Sequence, residues 1–452
     1  MEKVFTYIDR NQKEYLEDLF KLLRQPSISS QNIGVTECAT MLANMIEDIG
    51  MDAEIIHTPG QPIVYAERIV SPDALTVLIY GHYDVQPPEP LSEWHSEPFE
   101  PTIRDGKIFA RGVGDNKGQL MAQVLAVKSY LQCYGELPIN VKFVFEGEEE
   151  STSVHLEQFV HDHQEKLKAD LVYTSDGPMH ASGAPFVILG VRGIQYVELN
   201  ACGAKWDNHS GNKGGVVPNP AWKLVDLLQT MRDGDGKVLI EGFYDDIVSP
   251  TEKERKLIKS LPFNQEETNE TNGYEGDDDD AESYYRKLAF EPTFNICGFV
   301  SGYGGEGSKT IIPSKATLKM DMRLVVNQDP KDIFTKFKNH VKKHAPEVEV
   351  KDLGFMYPSR TSVDHDFVDV ITKSVRSTYK QEPIVLPSLG GSLPDYVWTK
   401  ILGLPSIVVP YANADENNHS PNENMEVELF YKGIKNTCQV IYDLGEYSKR
   451  SR

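Results

Sequence analysis

Four short apolar runs in this chain stop abruptly where histidine and carboxylates begin. They are TVLIY (76–80), VKFVF (141–145), LVYT (171–174) and SIVVPY (406–411). Near-continuous apolar runs of this length mark strands buried on both faces, as in a parallel sheet. Helical patterns lie beside them. NQKEYLEDLFKLLR (11–24) repeats apolar positions at helical spacing until Pro26, and NKGQLMAQVLAVKSYLQCYG (116–135) ends at Gly135. Strands alternating with helices predict an α/β unit, a mostly parallel sheet with helices on both faces.

After about residue 190 the pattern changes. GIQYVELNACG and KATLKMDMRLV alternate apolar and polar positions, as half-buried antiparallel strands do. Helical segments at 219–231 and 329–344 accompany them, which predicts a smaller α+β domain with one exposed sheet face. The polar stretch 264–283 reads as a solvated loop. Near 383 the first style returns. The expected division is therefore 1–188 with 383–452 as one domain, and 189–382 as a second inserted into it. A length of 452 residues also favours two domains over one.

The net charge of −22 argues against a nucleic-acid partner, because phosphate binding needs a basic face. Five scattered cysteines without a CxxC pair argue against a disulfide framework. The charged N-terminal stretch lacks a signal-peptide core, and no apolar run approaches the ~20 residues of a membrane span. The expectation is a cytoplasmic protein, in which the sequons at Asn208, Asn269 and Asn418 are chance matches.

Ligands of open parallel sheets bind beyond the carboxyl ends of the strands. His82 and Asp84 follow the first run, Glu146, Glu148, Glu149 and Glu150 the second, Asp176 the third, and His419 the fourth. Asp115 sits in a Gly-rich turn opening a helix. Each alone has a plainer explanation: a polar strand end, a helix N-cap, a solvated acidic turn. Together they place two histidines and several carboxylates, with no thiolate, at one sheet edge. That donor set suits zinc or a similar divalent ion. It exceeds one tetrahedral site and fits two ions roughly 3.5–4 Å apart sharing a carboxylate. The positive charge would also offset the repulsion among the glutamates.

The ordered motifs GHYDVQP, WHSEPFEPTIRDGKIFARGVGDNKGQ, EGEEES, SDGP, NHSGNKGG, GGSLPDY and NNHSPNEN resemble the co-catalytic zinc metallopeptidase family. That family includes carnosinases, cytosolic dipeptidases, acetylornithine deacetylase and glutamate carboxypeptidases. The resemblance runs from about residue 10 to 445, and its dipeptidase-like branch is the nearest. It implies a ferredoxin-like inserted domain serving as lid and dimerisation surface. It also implies two Zn2+ per subunit, with Mn2+ or Co2+ as alternatives. His82 and Asp176 would bind one ion, Glu150 and His419 the other, and Asp115 would bridge them. Asp84 would orient His82, and Glu149 would be the general base. His209 would donate to the developing oxyanion, often across a homodimer. Arg323 would bind a substrate carboxylate, with Thr310 and Ser392 as its partners.

The chain departs from the family pattern at Asn116, where many relatives carry Asp. WDNHSG replaces the commoner DLHSG. GFMYPSRT (354–361) lacks a substrate-contacting histidine that carnosinase-type dipeptidases carry nearby. GYGGEGSKT (302–310) resembles a phosphate loop, but Ser308 interrupts the required Gly-Lys pair. The expected activity is hydrolysis of an amide next to a free carboxylate, in dipeptides or short peptides. N-acyl amino acid deacylation is the alternative. A metal-binding pseudoenzyme is a third reading, against which the intact ligand and base positions stand.

Overall fold

The computed structural model describes residues 1–276 and 280–451, and divides them into two compact units. The first comprises 1–190, 360–387 and 397–452. The second comprises 191–359 and 388–396.

The first unit is built on an eight-stranded sheet among the described residues. Its order is Asp52–Ile56, Ile63–Arg68, Asn140–Glu146, Thr76–His82, Leu171–Thr174, Ser406–Val408, Phe186–Ile188, Ile384–Leu386. The central pairings are parallel, and the strands Asp52–Ile56 and Ile63–Arg68 are antiparallel. Asn140–Glu146 is buried at every position and Thr76–His82 at all but the first. Successive side chains of a strand point to opposite faces, so both faces are covered. Helix Lys117–Tyr134 is buried along most of its length and is closed by Gly135 at φ +77°. Val427–Ser451 packs against it. The parallel strands Thr76–His82, Asn140–Glu146, Leu171–Thr174 and Ser406–Val408 run the same way, so their C-terminal ends form one edge.

The second unit holds a four-stranded antiparallel sheet in the order Asn295–Ser301, Lys315–Leu324, Gly193–Cys202, Glu349–Met356. With helices Pro220–Met231 and Pro330–His344 the chain order is strand, helix, strand, strand, helix, strand, the ferredoxin-like arrangement. Gly193–Cys202 alternates buried and half-buried positions, as its sequence predicts. Val197, Leu199, Leu318 and Met320 meet Leu224, Leu227, Ile333 and Phe337 in the core.

Two expectations are corrected. Residues 360–382 belong to the first unit rather than the second, and 388–396 to the second rather than the first. Helix Asp366–Tyr379 is amphipathic, and its sequence does not say against what it packs. Its Ser374 Oγ donates to Asp443 at 2.8 Å, fixing it to the C-terminal helix. The stretch 264–283 is also more ordered than a loop. Asn264 accepts hydrogen bonds from Glu266 N and Glu267 N and caps helix Gln265–Asn272, and Asp280 caps Ala281–Phe290. Residues 277–279 of that stretch lie outside the described residues.

Candidate metal centre

His82 is the last residue of its strand, and its ring is almost wholly buried. Its Nε2 lies 3.0 Å from Asp115 Oδ1 and 3.7 Å from Asp176 Oδ2. No hydrogen-bond partner of good geometry satisfies that nitrogen. The other nitrogen, Nδ1, faces Asp84, 3.1 Å from its carbonyl and 3.4 Å from Oδ1. A proton on Nδ1 leaves the Nε2 lone pair free for a ligand.

His419 Nε2 lies 3.1 Å from Asp115 Oδ2 and 3.2 Å from Glu150 Oε2. The two oxygens of Asp115 thus face two different histidines. His82, Asp115 and Asp176 form one group of converging ligand atoms, and Asp115, Glu150 and His419 a second. His419 takes a left-handed backbone at φ +57°, an uncommon conformation outside glycine that often marks functional loops.

The local electrostatics call for a cation. Burial pushes Asp176 up to about 7, and the neighbouring Asp115 charge adds to it. Burial also drives Glu149 well above the usual carboxylate range; His82 opposes this, and Asp176, Asp115 and Glu150 reinforce it. Hydrogen bonds to Asp115 and Glu150 raise His419 to about 10. Burial disfavours charge on His82, but its carboxylate neighbours outweigh that and raise it well above 6.5. An N,O donor set with excess negative charge and an unsatisfied imidazole nitrogen fits divalent cations.

The four glutamates of EGEEES separate. Glu150 joins the cluster and Glu149 stands beside it. Glu148 pairs with His155 Nδ1 at 2.9 Å. Glu146 is buried, accepting from Tyr80 Oη and from Ser153 Oγ, the latter at 2.9 Å.

Sequence reasoning named Asp84 and Asn116 but missed Gln86 and Glu423, and with them most of the bonds that hold the ligands. Asp84 does more than face His82: its two oxygens accept Glu149 N and Glu150 N, each at 3.1 Å. Glu423 accepts Arg111 Nη1 at 2.8 Å, Gly112 N and Gly114 N at 2.9 Å, and Asp115 N at 3.0 Å. Gln86 Nε2 donates to Glu150 Oε2 at 2.9 Å. Asn116 Nδ2 donates to Ser175 O at 2.7 Å and to Asp176 Oδ1 at 3.1 Å. Its departure from Asp thus supplies a donor that a carboxylate lacks. No sequence pattern distinguishes Gln86 and Glu423 from surface residues, since their partners lie far away along the chain.

The remaining candidates lie in the second unit. His209 is exposed, and its Nδ1 accepts Gly211 N at 3.0 Å. Arg323 donates from Nη1 to Ser392 Oγ at 2.8 Å. Thr310 is not placed by any described contact with Arg323. It stands next to His209 instead, where its carbonyl accepts Ser210 N at 3.0 Å.

A parallel sheet whose strand ends gather two histidines and several carboxylates is the architecture of a metal-dependent hydrolase. The chain belongs to peptidase family M20/M25/M40, whose family model matches residues 78–443. It is 40% identical to a family M20 metallo-carboxypeptidase from Sulfolobus solfataricus of known structure. That match has a TM-score of 0.89 and covers 96% of this chain and 99% of the other. It is 30% identical to a Cys-Gly metallodipeptidase of Schizosaccharomyces pombe over 99% of both chains. Human carnosine dipeptidase 1 is 26% identical with a TM-score of 0.79, over 98% of this chain and 99% of that one. No helix among the described residues is long and apolar enough to cross a membrane.

Proposed function

We propose that this chain is a two-metal exopeptidase that hydrolyses the amide bond next to the free carboxylate of dipeptides and short peptides. The observation that carries the reading is Asp115, whose oxygens each face a separate histidine while Asp176 and Glu150 complete two groups. In this reading His82, Asp115 and Asp176 hold one ion, and Asp115, Glu150 and His419 the other. Zinc is the first choice, with manganese or cobalt as alternatives. Ions held by these residues would supply Lewis acidity and acidify the attacking water.

The chain's own residues do the rest. Asp84 fixes the His82 tautomer and, through Glu149 N and Glu150 N, the turn carrying the base. Glu149 accepts the proton of the attacking water and delivers it to the leaving amine, so no net proton is lost. Burial, reinforced by the neighbouring carboxylates, raises its pKa above the usual carboxylate range, the direction that makes it a stronger proton acceptor. Arg323 forks onto the substrate carboxylate, with Ser392 as its fixed partner. His209 is the proposed donor to the oxyanion, contributed across a homodimer, and Thr310 is placed with it. The proposed setting is cytoplasmic, with a catalytic role for the first unit and a lid and dimerisation role for the second.

The names of the relatives support exopeptidase chemistry: two are dipeptidases and one a carboxypeptidase. The test is amine release by zinc- or manganese-loaded protein from free dipeptides, longer peptides and N-acetylated amino acids, with and without chelator. Chelator-sensitive cleavage of dipeptides is the expected result. Cleavage of acylated amino acids alone would replace this reading with deacylation. No amidase activity in the metal-loaded protein would leave a binding protein.

A further inference from the structure

Gln119 lies in the first turn of helix Lys117–Tyr134 and is fully buried. A buried amide in a helix that packs against a sheet is costly unless all its polar atoms are paired. Its amide is paired in a specific way. Nε2 donates to Gly114 O at 2.8 Å and to Gly177 O at 3.0 Å. Oε1 accepts Tyr411 N at 2.7 Å. Two partners are carbonyls and the third is an N–H, so the orientation of the amide is fixed by chemistry.

Each partner belongs to a different ligand-bearing segment. Gly114 precedes Asp115. Gly177 follows Asp176, and its N–H donates to Asp176 Oδ1 at 2.7 Å. Tyr411 begins the stretch that leads to His419, and Met179 N donates to Ala412 O at 2.8 Å, tying the second segment to the third. None of these segments is next to another in sequence. Asn116 also bridges the first two segments and Glu423 also holds the first, but the single amide of Gln119 reaches all three. Metal ligands need such support from groups behind them, because their carboxylates repel one another.

We infer that Gln119 is a positioning residue that holds the Asp115, Asp176 and His419 segments at the separation the two ions require. The inference rests on the metal-centre reading above. Few other side chains meet the same demand. Glutamate keeps the acceptor and the length but offers neither donor to the carbonyls. Asparagine is one methylene shorter. Lysine cannot accept from Tyr411 N.

The test is calorimetric titration of metal-stripped protein with Zn2+ or Mn2+, comparing wild type with Gln119→Met and Gln119→Glu. Folding of each metal-free protein is checked by circular dichroism and thermal melting. Wild type should bind two ions. Both variants should bind them roughly ten- to hundredfold more weakly, the range seen when groups behind metal ligands are removed. The kcat for a dipeptide should fall while KM changes little. The loss of affinity should exceed any loss of metal-free stability. Gln119→Glu keeps the shape of the side chain, so it carries the test should Gln119→Met fail to fold. Two ions bound at wild-type affinity by a folded variant would overturn the role of Gln119. So would a loss of affinity that merely follows a loss of stability. A wild-type protein that binds no ions would instead overturn the metal reading itself, and the two failures are therefore distinct.

Discussion

The two units hold their functional candidates in opposite ways. In the first, His82, Asp84, Asp115 and Glu150 are buried or nearly so, and backbone N–H groups or buried amides fix most of them. In the second, His209 is exposed and Arg323 half-buried, and each side chain makes one described hydrogen bond. Backbone strain divides the same way. Of the described non-glycine residues at positive φ, only Asn327 lies in the second unit, while Thr152, Ser153, Asn417, His419 and Asn422 lie in the turns around the candidate centre. Pre-organised groups suit charge that develops during reaction, whereas exposed groups suit a substrate that brings its own partner. The buried groups of the first unit should therefore govern turnover, and Arg323 of the second substrate affinity.

The largest effect that could break this comparison is at Glu149. Glu149→Gln removes the proton acceptor and keeps the shape. The kcat should fall by about 10^3-fold, within the range for a general base. Metal analysis should still find both ions, because Glu149 is not among the converging ligand groups. Retained turnover would move the base elsewhere.

Arg323→Lys sharpens the other side. A planar fork is replaced by a point charge, so bidentate recognition of a carboxylate is lost. KM for a free dipeptide should rise about tenfold, near the worth of one charged hydrogen bond. The same peptide with an amidated C-terminus should show almost no difference between the two proteins. A fall in kcat at constant KM would place Arg323 in the chemistry and erase the contrast between the units.

A smaller effect concerns Glu146, the first glutamate of the cluster. Burial raises its carboxyl from 4.5 to about 8. The folded state therefore prefers the neutral acid. Stability of the metal-free protein is complete below about pH 4.5 on this account and declines as pH rises toward 8. Glu146→Gln keeps an acceptor for Tyr80 and Ser153 and cannot ionise. Urea titrations of metal-free protein should show a flatter loss of stability between pH 5 and 8 in the variant. Identical slopes would mean that the fold holds Glu146 ionised.

Much of the first unit was legible because its strands announce themselves twice, by unbroken apolar runs and by the chemistry that follows each one. TVLIY and VKFVF could hardly be anything but central strands, and their ends placed His82 and Glu150 at one edge. Two strands of the second sheet, Gly193–Cys202 and Lys315–Leu324, were legible from their alternation. The domain return near 383 was misplaced because helix Asp366–Tyr379 shows only an apolar face, and not which sheet or helix that face meets. Thr310 was assigned to Arg323 from a motif, and the contact to Ser210 places it beside His209. Gln119 and Glu423 were silent for a third reason. Most of their bonds go to backbone groups, and backbone positions leave no trace in side-chain pattern.

The smallest predicted effect probes the strain itself. Thr152 follows the turn Glu149–Ser151 at φ +73°, and Ser153 follows at φ +47°. A β-branched residue in the left-handed region costs roughly 1–2 kcal/mol relative to glycine, which adopts it freely. Glycine gives back part of this, because the unfolded chain gains freedom worth about 0.5–1 kcal/mol. Thr152→Gly should therefore stabilise the metal-free protein by only about 0.5 kcal/mol, seen as a slightly higher urea midpoint at unchanged slope. Its effect on turnover discriminates further. If the strain serves only to close the turn, kcat is unchanged or rises with stability. If the stiffness of Thr152 holds Glu149 and Glu150 in register, the variant is more stable and slower, and the strained turns of the first unit are part of how it works.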